Sequence, residues 1–110
     1  MFRSLFLAAA AVMLVANLAS AQDKVARGAQ VYADQKCSLC HAVAGKGNAK
    51  GALDEVGSKL SVADLKAWIV DAKGMTAKSG ATRKPDMKAY ALPAEDVDAL
   101  VAYLATLKKK

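Results

Sequence analysis

Cys37-Ser38-Leu39-Cys40-His41 is the stretch whose residue types and spacing can do chemistry. Two cysteines three apart, with a histidine directly after the second, form the attachment signature of a c-type haem. One helical turn brings Cys37 and Cys40 to the same side of the backbone, so both sulfurs reach the two vinyl groups of one porphyrin and form thioethers. His41 stands four residues after Cys37, which swings its imidazole under the ring to ligate the iron. Other chemistries suit these residues less well. A thiol–disulfide oxidoreductase wants a βαβ context around the pair, and the chain has no strand-period run. A structural zinc site wants four ligands, and this stretch offers two thiols and one imidazole. A disulfide between residues three apart closes too small a loop to stabilise a fold much.

Composition bounds the iron's second ligand. His41 is the only histidine among the 110 residues, so two histidines from one chain are excluded. A methionine, a lysine, water or an open position remain. Met87 lies in Lys84-Pro85-Asp86-Met87-Lys88-Ala89-Tyr90, a proline-stiffened loop shortly before the last helical segment. Met75 follows an expected helix end and serves as easily as a gap-filling core residue. Met87 is the favoured ligand, and an open or water-bound iron is the alternative.

These residues need elements to hold them. Asp23 to Lys36 has helical periodicity, with Val25, Ala29, Tyr32 and Ala33 recurring at three- and four-residue steps. Gly28 shares that side and suggests close approach by another helix. Ala42 to Lys59 carries Gly45, Gly47, Gly51 and Gly57 among lysines and reads as an irregular loop. It fits neither the P-loop nor the dinucleotide fingerprint. Ser61 is the expected N-cap of a helix with Asp64 in its first turn. Leu65, Trp68, Ile69 and Ala72 form its apolar stripe, and Gly74 is the expected stop. Trp68 is most simply a core residue, although a buried indole N–H needs an acceptor and a haem propionate would serve. Met75 to Tyr90 reads as loop, with room for a short helical turn. Pro93 opens the last helix, Glu95 and Asp96 occupy its first turn, and Lys108 to Lys110 close it. Val97, Leu100, Val101, Leu104 and Leu107 are its buried stripe, with Tyr103 beside it and within reach of Gly28 and Tyr32. The fold class is all-α.

Residues 1–21 read as a secretory signal peptide: Arg3, an apolar run from Leu5 to Ala16, and Ala19-Ser20-Ala21 before the cut. The run is short for a membrane span, which takes about 20 residues. The remaining domain, 22–110, keeps Tyr32, Trp68, Tyr90 and Tyr103 as its aromatics. Its net charge falls from +6 to +5 with the loss of Arg3. So short a chain buries a thin core, and a large flat cofactor at its centre would fill it. Export together with thioether chemistry points to the periplasm, with no stable membrane insertion once the leader is removed.

The haem motif near the start of the domain, the Gly28/Tyr32 helix, the tryptophan helix, the Pro-x-Met loop and the Leu-Val-Ala-Tyr-Leu last helix stand in one order. That order resembles the small, single-haem class I cytochromes c over nearly all of 22–110. The resemblance implies three main helices and short turns wrapped around one covalent haem c. It implies thioethers from Cys37 and Cys40, His41 as proximal ligand and Met87 as distal ligand. It also implies a Trp68 bond to a propionate, and a crossing of Gly28 and Tyr32 with the last helix near Leu100 and Tyr103. One departure stands out. Such proteins usually have Gly-Pro-x-Leu after the motif, the proline carbonyl accepting the proximal imidazole N–H. Here the stretch is Gly51-Ala52-Leu53, which keeps a carbonyl but loses the rigid φ.

With His and Met on opposite faces the iron has no open position, so the expected function is one-electron transfer rather than enzymatic catalysis. An open iron would instead suit a gas sensor or a haem peroxidase. The four-helix gas-binding cytochromes, however, carry their motif near the C-terminus. Lys46, Lys50, Lys78, Arg83, Lys84 and Lys88 lie in the two loops expected to border the haem, and acids gather elsewhere. A positive rim of this kind steers acidic redox partners through weak, salt-sensitive binding; solvated surface lysines are the plainer account. For an exported protein nucleic acid is not an expected partner, despite the positive charge.

Overall fold

The computed structural model describes residues 20–110, so the expected leader lies almost wholly outside the described residues. Helix α1 occupies 20–34 of the described chain and runs through the expected cut after Ala21. It is followed by α2 (Val56–Lys59), α3 (Val62–Val70), α4 (Ala72–Ser79) and α5 (Ala94–Ala105). The fold is all-α, as expected, with α1, α3 and α5 as its three main helices.

Gly28 decides how α1 meets α5. A Cβ built on it would collide with the Ala99 carbonyl oxygen and lie 2.6 Å from the Tyr103 Cβ. The two helices therefore touch almost backbone to backbone, which only glycine permits. Tyr32 and Tyr103 then stack edge to face, with centroids 5.8 Å apart. The crossing is the expected one, centred on Ala99 and Tyr103 rather than Leu100. The buried side of α1 holds Gly28 and Val31, whereas Ala29 and Ala33, placed on that side by periodicity, are exposed. Arg27 adds an ion pair with Asp96 at 3.1 Å, joining the same two helices.

Two helix boundaries differ from expectation. The tryptophan helix stops at Val70, ahead of Gly74. Asp71 breaks it with φ −141° and ψ 53°, and its carboxylate then caps a new helix by accepting from the Gly74 N–H at 3.3 Å. Gly74 is thus an early residue of α4 and not a stop. Residues 75–79, expected as loop with at most a short helical turn, complete the two-turn helix α4, and the chain leaves it at Gly80. The expected cap at the start of α3 is in place, Asp64 N–H donating to Ser61 Oγ at 3.1 Å.

The segment expected to be irregular is partly ordered. Ala42–Val43 (β1) and Lys46–Gly47 (β2) pair antiparallel, Ala42 opposite Gly47 and Val43 opposite Lys46. Ala44 and Gly45 turn the hairpin with φ of 52° and 78°, the twist a two-residue loop requires. Asp54 braces it by accepting from the Ala44 N–H at 2.7 Å. A single turn at Ala49–Gly51 follows, capped by Asn48.

The packed core is small: Val31 from α1, Leu65 and Ile69 from α3, and Val97, Leu100, Val101 and Leu104 from α5. Leu107 packs against it just beyond the end of α5. On one side of this core the chain leaves a large hollow.

Candidate haem site

The Cys37–His41 stretch is held by its own backbone. Cys37–Leu39 form one tight turn, and the Cys37 carbonyl accepts from both Cys40 N–H at 3.1 Å and His41 N–H at 2.9 Å. The His41 carbonyl in turn accepts from Asn48 N–H at 3.0 Å. The motif is thus pinned to the loop that follows the hairpin. Cys37 is half-buried and Cys40 exposed, both as free thiols. Burial pushes the Cys37 thiol up.

His41 Nδ1 lies 2.9 Å from the Gly51 carbonyl oxygen. A carbonyl can only accept, so the proton sits on Nδ1 and Nε2 keeps its lone pair for a metal. Burial holds the imidazolium below its ordinary range, the Gly51 bond partly offsets this, and the Arg83 charge pushes the same way as burial. The bond that a missing proline left in doubt is therefore made. Its acceptor lies two residues before Leu53, the place proline holds in the Gly-Pro-x-Leu pattern. A side chain at Gly51 would strike the Cys40 carbonyl and the Arg83 guanidinium. Tight packing there replaces ring rigidity.

The hollow beside the core has a volume of about 540 Å³. Cys37, Cys40 and His41 line one part of it, and Pro85, Met87 and Tyr90 line another. Leu53, Leu60, Leu65, Ile69, Leu100 and Leu104 supply apolar walls. Met87 is half-buried on that lining; Met75, also half-buried, lies within α4 and off it. The loop carrying Met87 is tied to α3 by Tyr90 N–H donating to the Ile69 carbonyl at 2.8 Å. Trp68 lines the hollow as well and is half-buried, a wall residue rather than part of the packed core.

Of the six cations expected to border the site, Arg83 and Lys88 reach the lining. Lys36 joins them, and Lys46, Lys50, Lys78 and Lys84 are exposed elsewhere. Lys84 pairs with Asp86 at 2.8 Å. Lys88 lies over the Tyr90 ring, 5.1 Å from its centroid. Tyr32 and Tyr90, like Lys36, Leu53 and Leu60, line the hollow without having been placed there by the sequence, because which face of a helix or loop meets a cavity is a tertiary fact. The Tyr32 hydroxyl is buried with no hydrogen-bond partner.

The residues fit a haem. An apolar slot of this size takes a flat hydrophobic ring. Two thiols stand at its edge, and a neutral imidazole has a nitrogen to give. A thioether, an indole N–H and a guanidinium also line it.

The chain belongs to the cytochrome c family, whose model, described as Cytochrome c, matches residues 25–108. It is accordingly a haem-binding electron-carrier domain with the class I c-type fold and a covalently attached haem c. Among curated proteins it is similar to cytochrome c oxidase subunit 2 of Alkalihalophilus pseudofirmus. The two are 35% identical over 91 residues, which cover 74% of this chain and 25% of that one. The chain thus spans about a quarter of the relative it matches. No solved structure matched it. Among the described residues, no helix is long and apolar enough to cross a membrane.

Proposed function

We propose that the chain is an exported one-electron shuttle, cut after Ala21, with a His/Met-ligated haem c. In this reading Cys37 and Cys40 carry the thioethers, His41 Nε2 and Met87 Sδ ligate the iron, and the Trp68 N–H binds a propionate. When bound, the group supplies a metal centre that gains and loses one electron without making or breaking bonds. The chain's own residues do the rest. The Gly51 carbonyl fixes the His41 tautomer and ring plane. Leucines of α3 and α5 exclude water, so little reorganises as charge changes. Met87 occupies the position a substrate would need and raises the potential. Electron transfer needs no general base, and in this reading the one histidine is held as ligand.

One observation carries the reading: Met87 lines the same hollow as Cys37, Cys40 and His41, and Met75 does not. Cationic Arg83, Lys88 and Lys36 around it favour a redox partner with an acidic docking surface. The similarity to a subunit of cytochrome c oxidase supports an oxidase of that kind as electron acceptor.

An absorption spectrum of the protein, exported by a host that attaches haem c, tests the ligand set. Low-spin bands indifferent to carbon monoxide are expected. So is a charge-transfer band from iron–sulfur ligation that vanishes in Met87→Ala and persists in Met75→Ala. A high-spin ferrous form that binds carbon monoxide at once would replace the carrier with a gas-binding or peroxidatic protein.

A further inference from the structure

Arg83 lines the hollow and also lies against Gly51. Its guanidinium lies against the backbone of Gly51, where a Cβ would stand 3.0 Å from Arg83 Cζ and collide with Nη1. The carbonyl of that same glycine orients His41. Arg83 also stands four residues before Met87, and both side chains line the hollow. Among the described residues it forms no ion pair, and Asp86 is engaged by Lys84.

We propose that Arg83 is a positioning residue, its guanidinium clasping the loop of Met87 to the loop that orients His41. The inference rests on the His41/Met87 reading and adds to it a means of holding the two ligands in register. Glycine at 51 makes room for the guanidinium. Arginine suits the place because its broad planar guanidinium can cover more backbone than a compact lysine ammonium can. Two effects follow from one group. Its charge near the iron favours the reduced, less positive form, and its contact resists the outward swing of Met87.

The test uses the haem-loaded protein as wild type, Arg83→Gln, Arg83→Lys and Lys84→Gln. Reduction potential is measured at low and high salt, and imidazole is titrated against the distal ligand. Arg83→Gln is expected to lower the potential, with the difference shrinking as salt screens the charge. Imidazole should displace the distal ligand at roughly two- to five-fold lower concentration, the scale of one partly exposed contact. Arg83→Lys should restore the potential but not the resistance to imidazole. Lys84→Gln should move both much less. If Arg83→Gln leaves potential and imidazole affinity unchanged, or if Lys84→Gln matches it, the clasp is refuted. Absence of the iron–sulfur band in the wild type is a separate failure, that of the ligand assignment itself.

Discussion

Single groups around the hollow carry separate consequences, and Tyr32 has the plainest. Its hydroxyl is buried without a partner, a state that costs about 1–3 kcal/mol relative to water. Burial, chiefly, pushes its phenol up from 10.0 to about 12. The folded protein therefore holds this proton more tightly than the unfolded chain does. Stability from this group is whole below pH 10.0 and declines as pH rises toward about 12. Tyr32→Phe removes both penalties while keeping the ring against Tyr103. Denaturant midpoints should show the variant equal to the wild type, or up to about 1 kcal/mol more stable, near neutral pH. Above pH 10.0 its lead should widen. A clear loss of stability in Tyr32→Phe would mean that the hydroxyl has a partner in solution.

At the scale of elements, the α1–α5 crossing turns on Gly28. Gly28→Ala raises helix propensity by about 1 kcal/mol, yet its methyl has no room beside the Ala99 carbonyl. Overpacking should win, for a net loss of about 1–2 kcal/mol, read as a lower denaturation midpoint at unchanged slope. A neutral result would mean that the helices lie further apart. What the sequence made legible follows the range of the forces involved. The Cys37–His41 motif, the Ser61 cap and the stripe of α5 depend on neighbours a few residues away, and all three are found where spacing puts them. The joint at Asp71 was missed because Gly74 looks like a stop on its own. Its actual role, receiving the Asp71 cap, belongs to the next helix. The hairpin was missed because it rests on Asp54 bracing a turn ten residues away. Met87 was singled out through proline and loop position, and it lines the hollow; its role as ligand remains the proposal. Arg83 was legible only as one more charge, since its contact with Gly51 crosses the molecule.

Taken whole, the molecule is basic, with a net charge of +6 over the full sequence. Lys36, Arg83 and Lys88 line the hollow, and on the proposed function they are the cations placed to meet a redox partner. Electron transfer to an acidic partner should slow steeply as ionic strength rises from about 0.01 to 0.2 M, over which the Debye length falls from about 30 Å to below 10 Å. Stopped-flow rates across that range measure it. A rate indifferent to salt would leave these residues as ordinary solvated charges and remove steering from the account.

The hollow and the core cannot be altered separately. Leu65, Ile69, Leu100 and Leu104 belong at once to the helix–helix core and to the cavity wall. The helices already bury all four side chains, so the packing that makes the core also sets the walls of the hollow. A substitution at any of the four would therefore change core stability and the shape of the hollow together.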